Sequence, residues 1–89
     1  MKSVTTERFR KAYDALPEHV RVSALKAYKL WHKNPLHPSL KFKRIHSTKP
    51  VYSVRVSLSC RALGIKQDET IIWFWIGSHA DYNKLIIDL

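Results

Sequence analysis

The stretch Ile71-Ile-Trp-Phe-Trp-Ile76 constrains the fold more than any other part of this chain. Six consecutive large apolar residues are too few for a helix of ordinary length, and they are rich in β-branched and aromatic types. They read as a strand buried on both faces, at the centre of a sheet. Gly77 breaks the run, and Ser78 with Asp81 has the S-x-x-D spacing of a helix capping box. A strand ending at Gly77 is therefore followed at once by a short helix carrying His79 and Tyr82. Two side chains able to move or hold protons then sit where a rigid strand meets a helix N-terminus, and any chemistry is expected there.

The rest of the chain supplies what that strand needs. Thr5 or Thr6 caps a first helix in which Phe9, Tyr13 and Leu16 recur at i, i+4 and i+7. Pro17 stops it and starts the next, where Val20, Ala24, Ala27, Tyr28 and Trp31 form an apolar stripe over three turns. Arg21, Lys26, Lys29 and Lys33 lie mostly off the stripe, on a solvated face. Asn34-Pro35 ends this helix. Leu40 and Phe42 alternate with Lys41 and Lys43 as in a strand with one cationic face, and His46 to Pro50 reads as a turn. Val51 to Leu58 alternates again; a bulge is expected near Ser59-Cys60, and Gln67-Asp68-Glu69 makes a polar hairpin into the apolar strand. The pattern predicts a single α+β domain over residues 1–89. An N-terminal helical hairpin packs in two layers on an antiparallel sheet of three or four strands, with a short C-terminal helix.

Charge narrows the partners. Sixteen Lys and Arg stand against seven Asp and Glu, for a net charge of +9, and no carboxylate occurs between Glu18 and Asp68. Such a surface repels itself unless a polyanion or an acidic protein covers it, with nucleic acid the default polyanion. No apolar run reaches the roughly 20 residues of a membrane span, and the N-terminus leads straight into a charged segment, so a cytoplasmic protein with no membrane partner is expected. The single cysteine, Cys60, has no partner for an internal disulfide, as in a reducing compartment.

Lys41, Lys43 and Arg55 are expected on the sheet face away from the hairpin, with Arg61 joining them if the bulge is correctly placed, and His79 and Tyr82 at the rim. That set suits an RNA phosphodiester. Cleavage needs a base for the 2′-hydroxyl proton, an acid for the leaving 5′ oxygen and fixed positive charge for the pentavalent phosphate. Histidine suits either proton role near neutrality, and arginine matches phosphate oxygens with a bidentate fork. Trp31, Trp73 or Trp75 and Phe74 read as core. Cys60 lacks the neighbours of a nucleophile, and His32, His37 and His46 sit in loop-like sequence without the Cys or acidic company of a metal site; no metal or cofactor is implied.

The order of these pieces resembles a known superfamily. After the helical hairpin come Asn-Pro-Leu-His-Pro-Ser-Leu at 34–40 and Lys-Phe-Lys-Arg at 41–44. Tyr-Ser-Val-Arg-Val at 52–56, Cys-Arg-Ala-Leu at 60–63 and Trp-Ile-Gly-Ser-His-Ala-Asp-Tyr at 75–82 follow. Together they resemble the RelE/ParE superfamily of toxins from bacterial toxin–antitoxin modules. The resemblance implies either a metal-independent endoribonuclease cutting mRNA in the ribosomal A site to leave a 2′,3′-cyclic phosphate, or a ParE-like inhibitor of DNA gyrase. A non-catalytic nucleic-acid-binding member is a further alternative. It also implies an acidic antitoxin as partner. Arg61 resembles the strand arginine that stabilises the transition-state phosphate, and His79 and Tyr82 fall where nuclease members keep a C-terminal His or Tyr. Lys41, Lys43, Arg44 and Arg55 resemble RNA-binding positions. The superfamily's usual N-terminal strand is expected to be missing, since only about four residues precede the first helix.

Overall fold

The structure is a computed structural model that describes residues 1–89. Its elements, in order, are β1 (Lys2–Thr5), α1 (Glu7–Asp14), α2 (Glu18–Lys33), a 3₁₀ turn (Pro38–Leu40), β2 (Lys43–Arg44), β3 (Val51–Ser57), β4 (Cys60–Gln67), β5 (Thr70–Ser78) and α3 (His79–Ile87). The strands form one five-stranded mixed sheet in the order β1-β5-β4-β3-β2. The α+β class with two N-terminal helices and a short C-terminal helix is as the sequence predicts.

Three features differ from the sequence reading. The N-terminal strand is present: residues 2–5 pair in parallel with β5, from Lys2 opposite Thr70 to Thr5 opposite Trp73. The apolar strand β5 is second from the edge, and β4 occupies the centre. Finally, the helices do not all share one layer. α1 and α2 cover one face, while α3 packs on the other.

The local chemistry explains the elements. Thr6 caps α1 by accepting from the Phe9 N–H at 3.1 Å, the role expected of Thr5 or Thr6. Ser78 caps α3 by accepting from the Asp81 N–H at 3.0 Å, as the S-x-x-D spacing predicts. Asp68, at φ 55°, supplies the left-handed residue of the β4–β5 hairpin, a conformation an aspartate tolerates by local hydrogen bonding.

The main core lies under α1 and α2. Trp31 is 1% exposed and meets Trp73 edge to face at 5.4 Å, with Ile71 (0% exposed), Val54, Ala62 and Ile76 around them. A smaller cluster on the opposite face joins Val51, Leu63 and Tyr82 to Phe74, Trp75, Leu85 and Ile86. β5 therefore does bury both faces, but with unequal depth: Trp73 is fully buried while Phe74 and Trp75 are only half-buried beneath α3. Phe74 is the extra residue where the β4–β5 register shifts.

Gly64 makes this packing dependent on one missing methyl. A Cβ there would lie 2.6 Å from Ile71 Cγ2 and 2.9 Å from Trp73 Cε3, both on buried side chains. Gly64→Ala is expected to cost about 1–3 kcal/mol. For a domain this small the melting temperature should fall by roughly 4–8 °C per kcal/mol, readable by thermal denaturation. An unchanged melting temperature would mean that β4 and β5 are spaced more widely than described.

Candidate active site

The β3–β4 connection is a two-residue turn, Leu58-Ser59, and three backbone oxygens around it act as anchors. The Arg61 guanidinium donates from Nη1 to the carbonyls of Ser57 and, at 3.0 Å, Cys60. The His79 backbone N–H donates to the Ser59 carbonyl at 2.8 Å. One short turn thus orients Arg61 and fixes the start of α3, on which His79 is the first residue and Tyr82 lies one turn later. Cys60 pairs with Ser78 and Arg61 with Gly77, which closes the same corner from the β5 side.

Register decides which side chains share the face. Arg55 lies directly opposite Arg61, and Lys43 opposite Ser53, two residues before Arg55 on the same side of β3. Lys43, Arg55 and Arg61 therefore line the sheet beside α3. Like charges directly opposite each other are unfavourable. Accordingly the Arg61 guanidinium is pushed below the ordinary arginine range, first by burial and then by Arg55, while Tyr82 and Cys60 pull it back. It still carries its charge at neutral pH. The only ion pair in the molecule, Lys11 with Glu7 on α1, neutralises none of these groups.

Two of the expected cations are placed differently. Lys41 is not on a strand: it ends the 3₁₀ turn in the left-handed region at φ 44°, exposed. Pro38 and the His37 ring, whose Nδ1 accepts from the Ser39 N–H at 3.2 Å, curl this segment before pairing with β3 begins at Lys43. Arg44, opposite Tyr52, faces the α1–α2 side, and its Nε donates to the carbonyls of His46 and Lys49 at 3.0 and 3.3 Å. Its guanidinium thus braces the β2–β3 loop.

His79 and Tyr82 come together, with ring centroids 5.9 Å apart, but they differ in exposure. The Tyr82 ring is 8% exposed among Val51 and Leu63, so it serves packing. His79 is half-exposed, and its Nδ1 lies 3.1 Å from Nδ2 of Asn83, one turn along α3. An amide NH₂ only donates, so Nδ1 is an acceptor here and the neutral ring carries its proton on Nε2. Nε2 is then the nitrogen left for a ligand. The sequence reading passed over Asn83, although its i+4 spacing from His79 is the available signal. Asn83→Asp replaces a donor by an acceptor and should invert the tautomer, putting the proton on Nδ1. Nitrogen-15 shifts of the His79 ring read this directly; unaltered shifts would mean that the two side chains do not meet.

His32, His37 and His46 have other attachments. His46, for example, accepts from the Lys49 N–H at 2.9 Å and joins the Leu89 carbonyl through Nε2, tying the β2–β3 loop to the C-terminus. Nowhere do three His, Cys, Asp or Glu side chains gather as metal ligands would. Cys60 is 2% exposed, and burial raises its thiol pKa, which keeps it protonated and unreactive. A cavity of about 430 Å³ lined mainly by apolar side chains lies between α1, α2 and the sheet, on the opposite face from Lys43, Arg55 and Arg61. No helix is long and apolar enough to cross a membrane.

The same arrangement of helices and mixed sheet recurs in solved structures of several toxins. The RelB–RelE antitoxin–toxin complex from Methanococcus jannaschii matches with a TM-score of 0.73 at 18% identity, covering 92% of this chain and 96% of that one. YafQ from E. coli strain BL21(DE3) matches with a TM-score of 0.72 at 15% identity, covering 91% and 96%. The YoeB/ParE toxin from Agrobacterium tumefaciens matches at 0.65 and 14%, covering 89% and 99%. No curated protein matches the chain. The model of the ParE-like toxin domain family matches residues 18–84, and the chain belongs to that family, within the RelE/ParE superfamily of toxins.

Proposed function

We propose that this toxin is an endoribonuclease that cuts mRNA on the ribosome, using side chains alone for charge stabilisation and proton transfer. The observation that carries this reading is the β3–β4 corner, which holds a crowded arginine pair and an imidazole with one free nitrogen around a single turn. In the reaction the 2′-hydroxyl oxygen attacks the adjacent phosphorus and loses its proton to a base. The bond from phosphorus to the 5′ oxygen breaks, and that oxygen takes up a proton as the 2′,3′-cyclic phosphate forms. Arg61, already oriented by the turn carbonyls, supplies preorganised charge for the pentavalent phosphate. To protonate the leaving 5′ oxygen from Nε2, His79 must first be the imidazolium, in which Nδ1 also carries a proton and the Asn83 side chain turns its carbonyl oxygen to accept it. Tyr82, its ring centroid 5.9 Å from that of His79, is the other proton-bearing group at the corner. Lys43 and Arg55 bind neighbouring phosphates, with Lys41 and Arg44 at the margin of that path.

A chain of +9 charge gains affinity from the rRNA around the mRNA, and that affinity must fall with salt. The same surface suits an acidic antitoxin segment that folds as it binds, a partner class in line with the antitoxin–toxin complex of the M. jannaschii relative. The ParE-like family match favours one rival, a non-enzymatic inhibitor of DNA gyrase. Expression in cells separates the two. Arrested translation with transcripts cut within codons, and normal supercoiling by gyrase in vitro, is the expected outcome. Inhibited supercoiling with intact mRNA would make the gyrase reading correct.

A further inference from the structure

The α1–α2 side of the sheet carries chemistry of its own. Its cavity of about 430 Å³ is of a size that holds a small molecule, and its lining is mainly apolar. Trp31 and Trp73 belong to the wall, at 1% and 3% exposure, with ring centroids 5.4 Å apart. The indole N–H of each is buried without an acceptor. Buried tryptophans ordinarily find one, so two such donors in one wall mark a core that the chain does not satisfy by itself.

α1 turns Phe9, Arg10, Tyr13 and Asp14 to this cavity, the contiguous helix face of positions i, i+1, i+4 and i+5. Phe9 and Tyr13 continue the apolar wall. Arg10 and Asp14 set one charge of each sign beside it, a helical turn apart, where Cβ atoms are about 5–6 Å from each other. They do not pair, and the chain's one ion pair is Glu7 with Lys11 on the same helix. The order of the residues explains the difference, since an acid four places before a base suits a helix better than the reverse. Arg10 is held instead through Nη1 by the Thr5 carbonyl at 2.7 Å and the Thr5 hydroxyl at 3.1 Å, and Thr5 also lines the cavity. The guanidinium is thereby fixed at the cavity's edge, with the rest of its fork uncommitted.

We propose that this cavity binds an apolar α-amino acid. The ligand's carboxylate sits on the Arg10 fork, its ammonium on Asp14, and its side chain in the cavity against Phe9, Tyr13 and Trp31. An α-amino acid carries both charges on one carbon beside an apolar group, which are the three things this wall presents. An apolar carboxylate without the ammonium meets the Asp14 charge uncompensated, and an apolar amine without the carboxylate meets that of Arg10. The site lies on the opposite face from Arg61 and does not depend on the nuclease reading.

The test is a titration of the full chain with L-phenylalanine, followed by NMR at the three indole Nε1–H resonances. Those of Trp31 and Trp73 should move together and saturate, while that of Trp75, on the α3 face, stays in place. 3-Phenylpropionate and phenethylamine, each lacking one charge, should bind about two- to fivefold more weakly, the size of an exposed ion pair. Asp14→Asn is exposed at the C-terminal end of α1, where a carboxylate opposes the helix dipole, so it should not cost stability. It is expected to weaken phenylalanine by a similar factor and to tighten 3-phenylpropionate by removing a repulsion. Arg10→Gln should weaken phenylalanine and tighten phenethylamine. Absence of a saturating shift at Trp31 and Trp73 overturns the site, and so do equal shifts at all three indoles. Equal affinity for the three ligands, unchanged by Asp14→Asn, also overturns it, because the cavity would then take any apolar body without reading the charges.

Discussion

Arg61→Ala is expected to lower single-turnover cleavage by about 10²–10³-fold while ribosome binding is largely kept. That is the usual loss when one preorganised charge donor is removed from a developing oxyanion. Preorganisation is the point of the local geometry. One arm of the guanidinium is held by the Ser57 and Cys60 carbonyls, so its position does not have to be found during the reaction. Arg55 directly opposite raises the local positive potential, at the expense of a repulsion that a bound phosphate relieves. Arg61→Lys makes the comparison sharper: it keeps a charge but loses the fork that spans turn and phosphate, so most of the deficit should persist. Because Arg61 also braces the β3–β4 turn, thermal denaturation must accompany the kinetics. A folded Arg61→Ala protein with near-normal rates would place the scissile phosphate elsewhere.

How much of this corner was legible in the sequence depends on how local each signal is. The start of α3 was readable because Ser78 and Asp81 carry their cap within one turn. The capped α1, the stripe of α2 and its end at Asn34 were readable for the same reason. β1 was not. Its four residues show no apolar alternation, and they form a strand because β5 leaves a parallel edge open more than sixty residues away. The same edge moves β5 from the centre of the sheet, a position its apolar run alone could not fix. The face of Arg61 was undecidable for a different reason: a one-residue slip reverses every side chain of a strand. The bulge falls at Val56 and not near Ser59-Cys60, and that placement sets Arg55 and Arg61 side by side. Lys41 was misplaced because two alternating lysines look like a strand, whereas Pro38 and His37 impose a turn first. Tyr82 was rightly put beside His79, but burial of its ring between Val51 and Leu63 depends on the face α3 covers.

His79→Ala is expected to lose at least the lower end of the 10²–10⁴-fold contribution of a positioned proton-transfer group, measured as single-turnover cleavage on saturating ribosomes. Folding should survive. The anchor between α3 and the β3–β4 turn is the residue's backbone N–H to Ser59, and the cap is Ser78, so neither depends on the imidazole. The substitution therefore separates chemistry from scaffold more cleanly than Arg61→Ala does. His79→Gln refines it. If the ring acts only as a hydrogen-bond donor, a glutamine NH₂ at that position should recover part of the rate. If it gives up a proton to the leaving oxygen, glutamine should be as poor as alanine, and the limb of the pH–rate profile that belongs to the imidazole should vanish in both. Asn83→Asp enters the same scheme. A carboxylate beside Nδ1 favours the imidazolium, so that limb should move to higher pH without loss of ribosome binding. Near-wild-type cleavage by a folded His79→Ala protein would take the ring out of the reaction, leaving Tyr82 and Lys43 to carry the proton transfers.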